Sequence, residues 1–350
     1  MGHLPHELTL EIIKELGQPP NRLAYRLPQS NIVTLGNLCR VCPDFRDLTE
    51  PILYSRIVIT GANLEAFVRT MLPQTDPDEP NTPIHSASRK PGFVKSLAFI
   101  GFRAPSGAAE INHIVGILRV PKPALERLLI DVFVLTGRAI GPSSLHAAIR
   151  EIPGLKEFAS TIQDCDPTKV AENRTIALPP WPSGSSQTLR RIALNYPSSS
   201  SAAEMVGLLP NADSFVFNQP SLYFGSGGGR SMLHFELKAG SQSGREVIWV
   251  LTSRNLGRGM LGGFDSMVTS ALRSGTGNAS EVRMRMKMGV IEHCSPPGLP
   301  WSVTHSHDFF VEKLIDGTVW KAERAFDEYV KMIRNRDSKW QELSEVSRSL

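Results

Sequence analysis

A short apolar pattern, φ-x-x-φ-x-φ, recurs down this chain at Tyr54, Val94, Leu125, Leu155, Leu189, Ala212, Met232 and Ala279. The fourth copy is imperfect, because Ser160 takes its last apolar place. With 41% of residues apolar, roughly two dozen such windows arise by chance, so the pattern argues only through its context. That context repeats. In GILRVPKPALERLLI, AIREIPGLKEF, EMVGLLPNADSFVF and ALRSGTGNASEVRM, a helix-like stretch meets a Pro or Gly break and then a short strand-like run.

Helix, breaker and strand at spacings of about 20 to 47 residues are what a leucine-rich-repeat-like solenoid requires, since each unit leaves faces bare that its neighbours bury. The spacing is irregular and the asparagine usual in such repeats is out of register, so the expected fold is a mixed α/β, degenerate solenoid. A doubly wound α/β domain also alternates strands and helices and stands as the competing architecture. Three segments read as loops: 73–92, 176–187 around Trp181, and the glycine-rich 221–232. The last lacks the Lys-Ser/Thr of a phosphate loop and opens onto a strand-like run, which leaves Tyr223, Phe224 and Arg230 as ligand contacts at most.

The N-terminal stretch has a different character. LPHELTLEIIKELG reads as an amphipathic helix with Pro5 at its start, Leu8, Ile12 and Leu16 at four-residue steps, and Gly17 with Pro19-Pro20 ending it. A second helix is expected from about Val33 to Leu48, kinked or split at Pro43. Cys39 and Cys42 form a C-x-x-C inside it. The only other cysteines, Cys165 and Cys294, stand alone, and no strand precedes the pair. Zinc and thioredoxin-like roles are therefore disfavoured, and both thiols are expected as small apolar groups on a buried helix face.

Leu4-Pro5-x-Glu7-Leu8, Ile12-Ile13, Leu16, then Val41-Cys42-x-x-Phe45-Arg46-x-Leu48 and Pro51-x-Leu53-Tyr54 resemble an F-box of the kind that opens many fungal F-box proteins. The resemblance covers roughly the first 55 residues. It implies a helical trio that docks the adaptor subunit of an SCF-type ubiquitin ligase and, through it, cullin, while the rest of the chain selects a protein substrate. The residues implied for docking are Leu4, Pro5, Leu8, Ile12, Val41, Cys42, Phe45 and Leu48, acting by apolar burial. Residues 17–31, GQPPNRLAYRLPQSN, make the first interhelical connection longer than usual; their polar, proline-bearing character is that of a loop.

The expected organisation is thus an F-box-like domain at 1–53, a repeat domain for substrate at 54–310 and a capping helix at 311–350. Within the last, a helix from Val319 to about Leu343 carries a stripe of Ala322, Phe326, Tyr329, Ile333, Trp340 and Leu343. His305-Ser306-His307-Asp308 has a spacing that suits a metal on a strand, with His293 and Cys294 upstream, and supports the rival reading of a metal-dependent hydrolase or other α/β enzyme. Its place between a Pro-rich turn and a helix start favours turn and cap roles.

No catalytic residue, cofactor or metal is expected on the adaptor reading; a scaffold with no ligase link is the third possibility. Net charge is only +4, with no Lys/Arg block, which disfavours nucleic acid as a partner. No apolar run of about 18 residues suggests a membrane span. The absence of a signal-like N-terminus and of a disulfide framework points to the cytoplasm or nucleus.

Overall fold

A computed structural model describes residues 5–72, 90–102, 108–121, 123–132, 145, 147–149, 151–161, 188–195, 209, 211–218, 245–252, 286–293, 303–325, 328 and 332. The fold is mixed α/β. It divides into two compact units, Met1–Arg191 with Val311–Thr318, and Ile192–Phe310 with Val319–Leu350. No helix among the described residues is long and apolar enough to cross a membrane.

The first unit opens with α1 (His6–Leu16), α2 (Gln29–Leu38) and α3 (Pro43–Leu53). The expected second helix is thus two helices. Pro43 lacks the N–H that a continuing helix needs, and it sits instead at the start of α3, where that N–H is not missed. Ile13, Leu27 and Leu35 are buried at the centre of the trio, and Leu16, Ile32, Leu38, Phe45, Leu48, Ile52 and Leu53 pack around them.

Four parallel strands follow in chain order: β1 (Arg56–Thr60), β2 (Ser96–Phe102), β3 (Arg127–Val132) and β4 (Glu157–Ser160). Helix α4 (Leu64–Met71) and helix α5 (Ala108–Arg119) make the crossovers after β1 and β2. Strands β5 (Arg191–Asn195), β6 (Ser214–Asn218), β7 (Arg245–Thr252) and β8 (Met286–His293) come next in the chain. Within the second unit β6, β7 and β8 are parallel neighbours, and β9 (Arg324–Ala325) joins β8 antiparallel. Helix α6 (Val303–Ile315) precedes a 3-10 turn at Thr318–Trp320.

The first six apolar windows mark the first six strands. Each strand begins two residues after its window opens, from Tyr54 and Arg56 to Ala212 and Ser214. The reason is visible in the backbone. The carbonyl just before one strand accepts two N–H groups from the start of the next. Ser55 O takes Lys95 and Ser96, Lys95 O takes Glu126 and Arg127, Glu126 O takes Lys156 and Glu157, and Lys156 O takes Arg190 and Arg191, all at 2.7–3.1 Å. The opening residues Val94, Leu125, Leu155, Leu189 and Ala212 are buried in the core, just before the strand starts. Strands β3, β4 and β6 are buried along their whole length, so both sheet faces are covered there, as parallel strands commonly are. The windows at Met232 and Ala279 lie outside the described residues. The next described strands, β7 and β8, lie at REVIWVLT and MKMGVIEH.

The same stacking lines up the first residues of successive strands. Arg56, Ser96, Arg127 and Glu157 share one register row. Glu157 is fully buried and holds Arg127 (Nη2–Oε1 2.8 Å) and Arg191 (Nε–Oε2 2.9 Å). Over this pair lies the 17–31 segment. It is not the surface loop that its polar composition suggests, because Ala24, Tyr25 and Leu27 are all buried. The Arg127 guanidinium stacks on the Tyr25 ring at 4.3 Å and donates to the carbonyls of Ala24 (3.0 Å) and Leu23. Arg56 donates to the carbonyls of Ala24 and Arg22.

These charges perturb one another. Burial, then the Glu157 carboxylate, pushes the Tyr25 hydroxyl well above its ordinary pKa. Burial acts to lower the pKa of Arg127, and its neighbours Tyr25 and Glu157 outweigh that and raise it. Burial and the charge of Arg127 lower the pKa of Arg56.

Two outcomes follow for stability. Arg127→Ala removes one of the two guanidinium groups that hold the buried Glu157 and takes a donor from the Leu23 and Ala24 carbonyls, while Arg191 still pairs with Glu157 and Arg56 still donates to Ala24, so urea unfolding should show a loss of about 1–3 kcal/mol. For Tyr25 the neutral form is favoured in the folded state. Its stabilisation is complete below about pH 10, the unfolded value, and is lost above it, because the unfolded chain then releases a proton that the folded chain retains. Above pH 10 the wild-type chain should therefore lose up to about 1.4 kcal/mol per pH unit relative to Tyr25→Phe, measured by denaturant titration at stepped pH.

Candidate docking face on the helical trio

The residues implied for adaptor docking divide into two groups. Leu8 and Ile12 are about half exposed (51% and 50%), and Val41 is 66% exposed. Pro5 is exposed as well. These side chains are large or apolar and are left in water by a trio whose own core is already filled. Leu8 and Ile12 are one helical turn apart, so they share one face of α1. Phe45 and Leu48, in contrast, pack against the buried centre of the trio, and Cys42 is half-buried. Leu4 lies outside the described residues.

Helix α1 thus has two apolar faces. Ile13 and Leu16 face the trio core while Leu8 and Ile12 do not, so the expected stripe of Leu8, Ile12 and Leu16 is not a single buried surface. Sequence reasoning missed Val33, 51% exposed on α2. Its signal was phase: Ile32, Leu35 and Leu38 step inward at three-residue intervals, which turns Val33 away from them. Placing the helix start at Val33 hid that phase. The helix in fact begins at Gln29, with Pro28 before it.

Cys39 and Cys42 do not share a buried helix face. Cys39 ends α2 and Cys42 precedes α3, so they flank the break around the exposed Val41, and both are half-buried free thiols. The Thr49 hydroxyl donates to Phe45 O (2.6 Å), which leaves its oxygen to accept from the Cys39 thiol at 2.9 Å. Arg46 Nε donates to Cys39 O at 3.3 Å. These contacts tie α3 to the end of α2 and fix the turn that presents Val41. Lys90 bridges Tyr54 (5.1 Å to the ring centroid) and Glu50 (3.9 Å) at the other end of α3.

The histidine segment is placed differently from expectation. It lies inside the first turns of α6 and not in a turn ahead of a helix. The Asn195 amide nitrogen is 3.4 Å from His307 Nδ1, and the Asn218 amide donates to Asn195 Oδ1 at 2.6 Å. The side chain of His305, and Cys165 and Cys294, lie outside the described residues. Among the described residues no three His, Cys, Asp or Glu side chains gather where they would hold a metal ion.

The helix expected to start at Val319 does not start there. Val319 and Trp320 are buried in the 3-10 turn, and β9 follows at 324–325. Glu328 and Met332 are helical, whereas Phe326, Tyr329, Ile333, Trp340 and Leu343 lie outside the described residues. Residues 221–232, with Tyr223, Phe224 and Arg230, lie outside them too. Compared with known proteins, the chain matches no family model, no curated protein and no solved structure.

Because Leu8, Ile12, Val33 and Val41 are exposed, changing them should leave the fold intact. Leu8→Asp with Ile12→Asp should move stability by no more than about 0.5 kcal/mol per site. Leu35→Asp, at a buried position, should cost several kcal/mol and melt the trio, on the scale of an unpaired buried charge. Circular dichroism melts of the two variants separate the outward face from the core.

Proposed function

We propose that this chain is a substrate-recognition adaptor of an SCF-type ubiquitin ligase. The helical trio docks the ligase's adaptor subunit, and the α/β body engages a protein substrate. The observation that carries this reading is the exposure of Leu8, Ile12, Val33 and Val41 on a trio whose core is complete without them. Large apolar side chains kept out of a finished core suit a partner surface, although singly exposed ones are ordinary.

The strand order supports the second half of the proposal. Strands added in chain order, joined by repeated carbonyl contacts, are the behaviour of stacked repeats. Within the described part of each unit the order never reverses, so the crevice at which doubly wound folds bind small ligands has no counterpart there. With both faces of β3, β4 and β6 covered, substrate contact falls to loops at the strand ends. The ubiquitin chemistry belongs to other subunits of the complex, and no residue of this chain is assigned a catalytic role.

Tagged chain expressed in fungal or human cells should copurify the ligase's adaptor subunit and cullin. The Leu8→Asp/Ile12→Asp variant should lose both, since a buried, unpaired carboxylate costs several kcal/mol, enough to abolish a micromolar interaction. Equal recovery by the variant, or no adaptor subunit with the wild-type chain, would overturn the assignment.

A further inference from the structure

The segment Val311–Thr318 belongs to the first unit although nearly 120 residues separate it from the rest of that unit. It meets the loop that carries Tyr25. Tyr25 N–H donates to Ile315 O at 2.7 Å, and Arg26 Nη2 is 3.3 Å from Asp316 Oδ1. Next to these contacts, at Gly317, the two backbones approach so closely that only glycine fits. A Cβ on Gly317 would lie 2.3 Å from Leu23 C, 2.5 Å from Leu23 O and 2.6 Å from Ala24 N, and Gly317 also has φ +69°. The loop arrives preformed for this contact, since Leu23 N–H donates to Asn21 Oδ1 at 3.0 Å. Its other side is held by Arg127 and Arg56.

We infer that residues 311–318 are a latch that clamps the 21–27 loop onto the strand starts and thereby fixes the helical trio to the α/β body. The loop joins α1 to α2, and its Leu27 is one of the three buried centres of the trio. Lifting the latch therefore loosens the trio as well as the loop. In consequence the N-terminal helices depend on a segment near the other end of the sequence. This dependence holds whichever partner the trio docks.

Gly101 supplies a matched control. It too has positive φ (+77°), but a Cβ there meets nothing within 4 Å. Alanine at either site bears the left-handed backbone penalty, about tenfold in an equilibrium constant. Only at Gly317 does it also collide with the loop. Hydrogen exchange followed by mass spectrometry on the full-length chain, with no partner added, should show this difference. Gly317→Ala should speed exchange across residues 21–27 and through α1, α2 and α3 by about a hundredfold, against about tenfold or less for Gly101→Ala. If Gly317→Ala fails to fold, Asp316→Arg sets like charge against Arg26 at the same contact. It should accelerate exchange in the same segments, and Arg26→Asp with Asp316→Arg should restore protection. Acceleration confined to residues 311–318, or equal in Gly317→Ala and Gly101→Ala, would overturn the latch.

Discussion

A guanidinium taken out of water must find a charge and a set of oxygens, and Arg127 finds them in parts of the chain far apart in sequence. Glu157 on the neighbouring strand supplies the charge; the carbonyls of Leu23 and Ala24 and the ring of Tyr25 supply the rest. This one side chain fixes the register of β3 against β4 and holds the long interhelical connection on the strand starts. Were it removed, Arg191 would be left to hold the buried carboxylate and Arg56 the Ala24 carbonyl, while the Leu23 carbonyl would lose this donor, so a change at one member is felt by the others and the contacts are not separable.

The position of the cluster follows from how the strands stack. The carbonyl before each of β1, β2 and β3 accepts two N–H groups from the start of the following strand, so the first residues of β1 to β4 fall in one row. Evenly stacked apolar residues there would leave the loop's carbonyls without donors. Arg56 and Arg127 in that row provide the donors, and Glu157 offsets part of their charge. The helical trio is thereby seated on the body through its connection, while Leu8, Ile12, Val33 and Val41 remain outside the packing. The proposed docking role draws on that separation: one set of apolar side chains holds the trio together and another is left over.

Much of the strand framework was legible in the sequence, because an apolar window bounded by breakers reports burial on a short strand. Six windows, from Tyr54 to Ala212, sit at one fixed offset from six strands. The pattern failed where burial has another form. Strands β7 and β8 carry VIWVL and MGVI, apolar runs shorter than the six-residue window and so not registered by it. The 17–31 segment misled for a different reason. Its polar and proline-rich composition describes side chains, whereas its burial rests on backbone carbonyls matched by Arg56 and Arg127, donors that lie far along the chain. On the trio, three- and four-residue spacing located apolar faces but not which of two faces on α1 turns inward, since Ile12 and Ile13 are adjacent and equally apolar. The close approach at Gly317 leaves no trace beyond a single glycine.

The central claim is that the outward apolar side chains of the trio are where a ligase adaptor subunit sits. It is tested most directly by placing a photo-crosslinking amino acid at Val33 in the full-length chain and irradiating living cells. Arg69, exposed on α4, serves as the reference position. The adaptor subunit should become covalently joined at position 33 and not at position 69. Cross-linking at neither position, or equally at both, would contradict it.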